Sequence, residues 1–320
     1  MTFTGLPYAP YDDLRGTPHV VVDGAAQEGT VLTLSHWPNS ATPDDLLADT
    51  SAEIVLRALD QQSRWGAAEA VTNNHPDQDG LMGIWAAVEP DAARARADLV
   101  VGVATSGDFA VVRDTASRRA EAAITALMDA AMAVDEDPYA LALPRVLDVL
   151  DDTDRFEDLW RPAEEAWDVG NAALADGTVT ITEDAALDLA VVTLAADVPV
   201  PAGPVLCTAT PMVRMFVDHG DACEYHDRYE TWVKYMSRPI PPRVDLRPLA
   251  SALTSDEPGG ARWSYDGVAA LGPALHVVSC RSGLDPATVL SRLRDALAAG
   301  PPAWDPYTPT RLGNEAKEAP

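Results

Sequence analysis

Between residues 19 and 134 the chain alternates short apolar, β-branched runs with stretches of helical spacing, and the runs end in aspartate or histidine. The run from His19 to Val22 leads into Asp23, and the run from Val31 to Leu34 leads into Ser35 and His36. The run at residues 68–72 leads into Asn73-Asn74-His75-Pro76-Asp77-Gln78-Asp79-Gly80. Continuous apolar runs of this length suit strands buried on both faces of a parallel sheet. Their alternation with helices predicts an α/β domain with a doubly wound, mostly parallel sheet. Parallel strands put their C-terminal ends on one edge, where open α/β sheets bind ligands.

The helical spacing supports this order. Thr50-Ser51-Ala52-Glu53 reads as a capping box, with Ile54, Val55, Ala58 and Leu59 as the apolar face behind it. Leu81, Ile84, Trp85 and Val88 recur at i, i+3, i+4 and i+7, which puts Asp79 at the N-cap position. Residues 98–103 read as another buried strand, residues 117–134 as a helix, and residues 138–175 as helical throughout. A different regime begins at Thr178. Shorter strands are expected at 187–194, 205–210, 229–235 and 269–278, with helices near 246–253 and 286–298. The expected organisation is an N-terminal arm (1–18), the α/β domain with its helical extension (19–177), a second, smaller α+β domain (178–300) and an irregular tail (301–320).

Within the motif, alternate side chains of an extended segment point the same way, so His75, Asp77 and Asp79 can converge at the sheet edge. One imidazole with carboxylates suits Mn, Mg or Fe better than a thiolate-bound zinc. Asp23, His36 and Asp108 end other predicted strands and join the candidate ligand set for one or two ions. A dense group of acids repels itself without cations, which gives a reason for metal to be there. Mn or Mg is the expected cofactor, His36, His75 and Asp79 the expected catalytic groups, and Asn73 and Asn74 orient ligands or hydrogen-bond the substrate.

His-x-Asp-x-Asp-Gly between a strand and a helix resembles the first motif of the DHH phosphoesterase superfamily, two-domain enzymes that use divalent metal to hydrolyse phosphodiesters or phosphoanhydrides. Residues 20–23 are similar to that family's second motif, and residues 32–37 to its third with one histidine kept. Residues 49–55 resemble the Ser-Thr-Ala-Glu helix after the third motif, and residues 101–109 the later glycine-rich segment. The order departs from the family, since the first motif follows the third. No Asp-His-His triplet occurs, and the family's acid in the last segment falls on Thr105, with Asp108 three positions on. The resemblance, over about residues 19–130, implies a metal-dependent phosphohydrolase acting on a small anionic substrate.

The charge balance limits the partners. With 23 Lys and Arg against 50 Asp and Glu, a net charge of −27, the chain is poorly suited to coat nucleic acid or bind anionic membrane. Metal ions can supply local positive charge for a phosphorylated substrate. Cys207, Cys223 and Cys280 are widely spaced and form no CxxC pair, so neither structural zinc nor a disulfide framework is expected. With no secretory pattern and no long apolar run, the expectation is a cytoplasmic chain, and self-association into a homodimer stays open.

Two further clusters lie beyond residue 200. Residues 218–227, rich in Asp, Glu and His, contain Asp218-His219, partly similar to Asp-His-His, but read better as a polar hairpin loop. Arg228, Lys234, Arg238 and Arg243 form the densest basic stretch there; a clamp for the substrate's anionic group and a set of edge-strand charges are equally consistent with them. Two alternatives to the hydrolase stand. One is a non-catalytic DHH-like protein binding a nucleotide or protein partner in an interdomain cleft; the other is a metal-dependent biosynthetic enzyme on a non-phosphate substrate. No phosphate-cradling glycine loop and no nucleophile elbow is present.

Overall fold

The computed structural model describes residues 4–195, 197–279 and 281–307. The chain is mixed α/β and divides into two compact units, residues 1–167 with 234–238, and residues 168–233 with 239–320. No helix among the described residues is long and apolar enough to cross a membrane.

In the first unit β1 (His19–Val22), β2 (Thr30–Leu34) and β3 (Ala70–Thr72) form a parallel sheet in the order β2-β1-β3. Around it come α1 (Ser51–Ala58), α2 (Gln78–Val88), α3 (Pro90–Arg94), α4 (Ala97–Phe109), α5 (Thr115–Met132), α6 (Pro138–Asp151) and α7 (Glu157–Ala175), the last of which runs across the division into the second unit. Val20, Val22, Leu34, Ile54, Leu81 and Ile124 are fully buried members of one core. Gly83 lets α2 approach closely: a Cβ there would lie 2.6 Å from Val22 Cγ1 and 3.4 Å from the Ala52 Cα.

The second unit holds β4 (Val179–Asp184), β5 (Leu189–Leu194), α8 (Gly203–Ala209), β6 (Arg214–Asp218), β7 (Cys223–Asp227), β8 (Arg243–Val244), α9 (Arg247–Asp256), β9 (Trp263–Tyr265), β10 (Ala274–Val277), α10 (Pro286–Ala299) and β11 (Pro302–Trp304). Its main sheet is mixed, in the order β4-β5-β6-β7-β10-β9, and β8 pairs with β11. The acidic and histidine-rich stretch 218–227 is the turn and second strand of the antiparallel β6–β7 hairpin.

Several expectations need correction. Residues 98–103 are not a strand but the middle of α4. Val100, Val103 and Ala104 are fully buried, and such a run gives the same apolar signature in a helix as in a strand. Residues 205–210 belong mostly to α8, and residues 229–231 form a 3-10 turn where a strand was expected. The N-terminal arm is anchored: Ala9 N–H donates to the Val71 carbonyl (3.2 Å), Val71 N–H donates to the Pro7 carbonyl (2.9 Å), and the Tyr8 hydroxyl donates to Asp137 (2.9 Å). In the expected tail, residues 302–304 form β11, and residues 308–320 lie outside the described residues.

Candidate metal centre

Three adjacent parallel strands deliver the site. Asp23 follows β1 with φ +48°, a left-handed conformation that aspartate adopts more readily than most residues, and its N–H donates to the Leu34 carbonyl of β2 (3.0 Å). His36 lies two residues beyond β2, and the 73–77 loop carries His75 and Asp77 from β3 into α2. Asp108 arrives from the last turn of α4, so it reaches the site from a helix and not from the expected strand end.

The six expected ligands gather into two groups that share Asp23. In the first, His36 Nε2 stands 3.4 Å from Asp23 Oδ1, 3.3 Å from Asp108 Oδ2 and 3.9 Å from Asp79 Oδ2. In the second, His75 Nε2 stands 3.4 Å from Asp23 Oδ2 and 2.7 Å from Asp77 Oδ2. Two ligands of one ion, bound at about 2.0–2.6 Å and at right angles, stand about 2.8–3.7 Å apart. Asp23, His36 and Asp79 on one side, and Asp23, His75 and Asp77 on the other, each present ligand atoms close enough together to hold a metal ion. The halves differ in access. His36 and Asp79 are fully buried, whereas the side chains of His75 and Asp77 keep 31% and 25% of their surface.

The frame sets these orientations. His36 Nδ1 is bonded to the Asp49 carbonyl at 2.5 Å, which places the ring N–H there and leaves Nε2 facing the carboxylates. The Ser51 hydroxyl donates to Asp23 Oδ1 (2.7 Å) and accepts the His36 N–H (3.2 Å). Asp77, not Asp79, is the N-cap of α2: its Oδ1 accepts the Gly80 N–H at 2.7 Å. Asp79 caps a different helix, taking the Ser51 and Ala52 N–H groups of α1 at 2.6 and 2.7 Å. Asn73 Oδ1 accepts the His75 N–H (3.0 Å) and Asn74 Oδ1 the Ala25 N–H (3.1 Å), so both orient the loop. Trp37 lies against the His75 ring, with centroids 5.0 Å apart.

Burial and mutual repulsion govern the electrostatics. Burial, then the charge of Asp77, pushes Asp23 up to about 6 despite the two histidines and Ser51. Burial, then Asp23, pushes Asp79 up to about 6 against His36 and the two N–H donors. Asp108 is held well above the carboxylate range by burial and by Asp79, Asp77 and Asp23. Burial disfavours the His75 cation, but its bond to Asp77 and the charges of Asp77, Asp23 and Asp79 outweigh that and raise it to about 9. Four acids face two imidazoles here, and a bound cation would offset the negative charge that remains.

The arginine clamp is a correction at two positions. Arg243 is fully buried, and its guanidinium donates to Thr231 Oγ1 (2.7 Å) and to the carbonyls of Val268 (2.7 Å), Ala270 (2.5 Å) and Leu271 (2.7 Å). Arg228 is buried against Glu230 (2.6 Å) and donates to the Cys207, Thr210 and Met212 carbonyls. Both brace the second unit from within. Arg238 and Lys234 group by their contacts with the first unit. Sequence reasoning missed Asp49, Ser51 and Tyr139, which position the ligands. Of these, Asp49 and Ser51 left a trace, inside the capped segment 49–55, and Tyr139 left none.

The chain belongs to the family of unknown function DUF6687, whose match spans residues 4–308. No curated protein matches it.

Proposed function

We propose that the chain is a divalent-metal-dependent hydrolase of a small phosphate ester, phosphodiester or phosphoanhydride. The observation that carries this reading is Asp23, whose two carboxylate oxygens each lie 3.4 Å from a different histidine. Asp23, His36, Asp79 and Asp108 would hold an inner cation, and Asp23, His75 and Asp77 an outer one. Hard oxygen ligands with one imidazole per ion favour Mn, with Mg as the second choice. Bound there, such cations would supply a lowered pKa for a water and positive charge against phosphate oxygens.

The protein's own part divides by access. His36 and Asp79, sealed from solvent, bind and orient, whereas His75 beside Trp37 stands where a substrate can reach it. Asn74 and Arg238 are the polar and cationic groups proposed to meet the anion. The reading is supported by the motif-bearing ends of β1, β2 and β3 lying side by side, as the DHH resemblance requires. Openness of the His75 half favours catalysis over a purely structural ion. Metal analysis of the purified protein, with a Mn-supplemented screen of phosphomonoester, phosphodiester and pyrophosphate substrates, tests the reading. The expected result is bound metal and Mn-dependent release of phosphate or alcohol, both lost in Asp23→Asn. Hydrolysis unaffected by chelation or by Asp23→Asn would overturn it.

A further inference from the structure

The outer cation group is held in place by a residue 64 positions away. Tyr139, at the start of α6 and 3% exposed, brings its hydroxyl to the loop that carries His75 and Asp77. The hydroxyl accepts from the Asp77 N–H (3.1 Å) and from Asn73 Nδ2 (3.2 Å). It donates to the His75 carbonyl (3.0 Å), with the Asp77 carbonyl at 3.2 Å as a second acceptor. A hydroxyl has one hydrogen and two lone pairs, so this one is saturated by a single five-residue loop. Asn73 extends the bracket, since its other end accepts the His75 N–H (3.0 Å). The ring edge packs on Tyr8 at 5.8 Å, and Tyr8 bonds to Asp137, the N-cap of α6, but makes none of these loop contacts.

We propose that Tyr139 is the positioning residue of the outer cation site, setting the spacing of His75 and Asp77 through their backbone while leaving the inner group of Asp23, His36 and Asp79 untouched. This rests on the two-ion reading above. Groups that orient metal ligands from behind typically contribute 10–100-fold in affinity. Here that effect should fall on one ion of two, because the inner ligands are framed by Asp49 and Ser51 from other segments.

Titration of the full-length, metal-stripped protein with MnCl2, followed by calorimetry and by the electron paramagnetic resonance of free Mn, tests the proposal. Wild type should take up two ions with distinct affinities. Tyr139→Phe should keep the tighter site and weaken the other by roughly 10–100-fold. Tyr8→Phe, which disturbs the same helix start without touching the loop, should leave both sites as in wild type. If Tyr139→Phe does not fold, Asn73→Ala removes the other half of the bracket without altering α6 and should give the same one-site loss. Wild-type binding in the folded Tyr139→Phe variant, or equal weakening of both sites, would overturn the positioning role while leaving the metal reading intact. Absence of Mn binding by the wild type would overturn both.

Discussion

Two acids at the centre have the same chemistry and opposite structural duties. Asp79 accepts two N–H groups from α1, so Asp79→Ala should lose metal and also destabilise the metal-free protein, by about 1–2 kcal/mol as for other lost caps. Asp108 is buried among three other carboxylates, whose charges together with burial hold it well above the ordinary carboxylate range. Asp108→Asn should therefore abolish tight metal binding while raising metal-free stability, because burial and three neighbouring carboxylates already disfavour its charge. Urea unfolding in EDTA checks both, and the idea fails if the two variants shift the midpoint in the same direction. Arg243 offers a third contrast. Its fork joins Thr231 to the 268–271 carbonyls, so Arg243→Lys should cost stability, about 2–4 kcal/mol, with little change in the KM of any phosphate substrate found. A KM effect without a stability effect would restore the clamp. Five of the six proposed ligands were visible as residue types in the stretches that follow apolar runs, whereas Asp108 lies five positions beyond its run. The framing contacts were not, because His36, His75 and Asp77 are held largely through main-chain atoms.

Among the elements, β1, β2, α1 and α2 follow from periodicity and capping signals, and α4 does not. Its Leu-Val-Val-Gly-Val run is rich in β-branched residues and buried from Val100 on, and only its continuation to Phe109 distinguishes a helix from a five-residue strand. That difference has a chemical result: Asp108 reaches the carboxylates from the last turn of α4, whereas a strand ending at residue 103 would have stopped short of it. The segment at 229–235 misled differently, since its alternation of large and polar residues serves buried tertiary contacts of Thr231 and Trp232 and not a sheet. Close packing of α2 on β1 depends on Gly83. Gly83→Val should destabilise by about 1–3 kcal/mol through overpacking against Val22, and should weaken Mn binding by displacing the strand that ends at Asp23. A variant as stable as wild type in chemical denaturation would show that α2 can shift without disturbing the site.

For the whole molecule, the centre sets a pH dependence that metal should alter. Asp23 and Asp79 have folded values near 6 against an ordinary 3.8, so the metal-free fold holds protons that the unfolded chain has released. Their contribution to stability therefore falls as pH rises from about 4 to 6. His75, raised to about 9 from 6.5, contributes stability that is fully present below 6.5 and lost as pH rises through 9. Both effects, and the repulsion within a chain of net charge −27, move the metal-free optimum to the acidic side. Cations bind the deprotonated ligands, so the gain from Mn should be larger at pH 8 than at pH 5. Thermal unfolding with EDTA and with excess Mn at both values measures this, and equal gains would place the bound ion elsewhere. The acidity legible in the composition limited the partners, but it gave no sign that a few of these acids are buried together.

The short segment 234–238 gives the centre a history as well as a shape. Lys234 N–H donates to the His36 carbonyl (2.9 Å), and the N–H groups of Met236 and Ser237 donate to Asp49 Oδ1, 187 and 188 residues away. Asp49 is the residue whose carbonyl fixes the His36 ring. During synthesis, every proposed ligand leaves the ribosome well before this segment does. The nascent chain can therefore present its carboxylates to passing cations long before His36 is locked. On the proposed two-ion reading, the inner position is therefore completed late, only after residue 238 has emerged and Asp49 and the His36 carbonyl have been tied from behind.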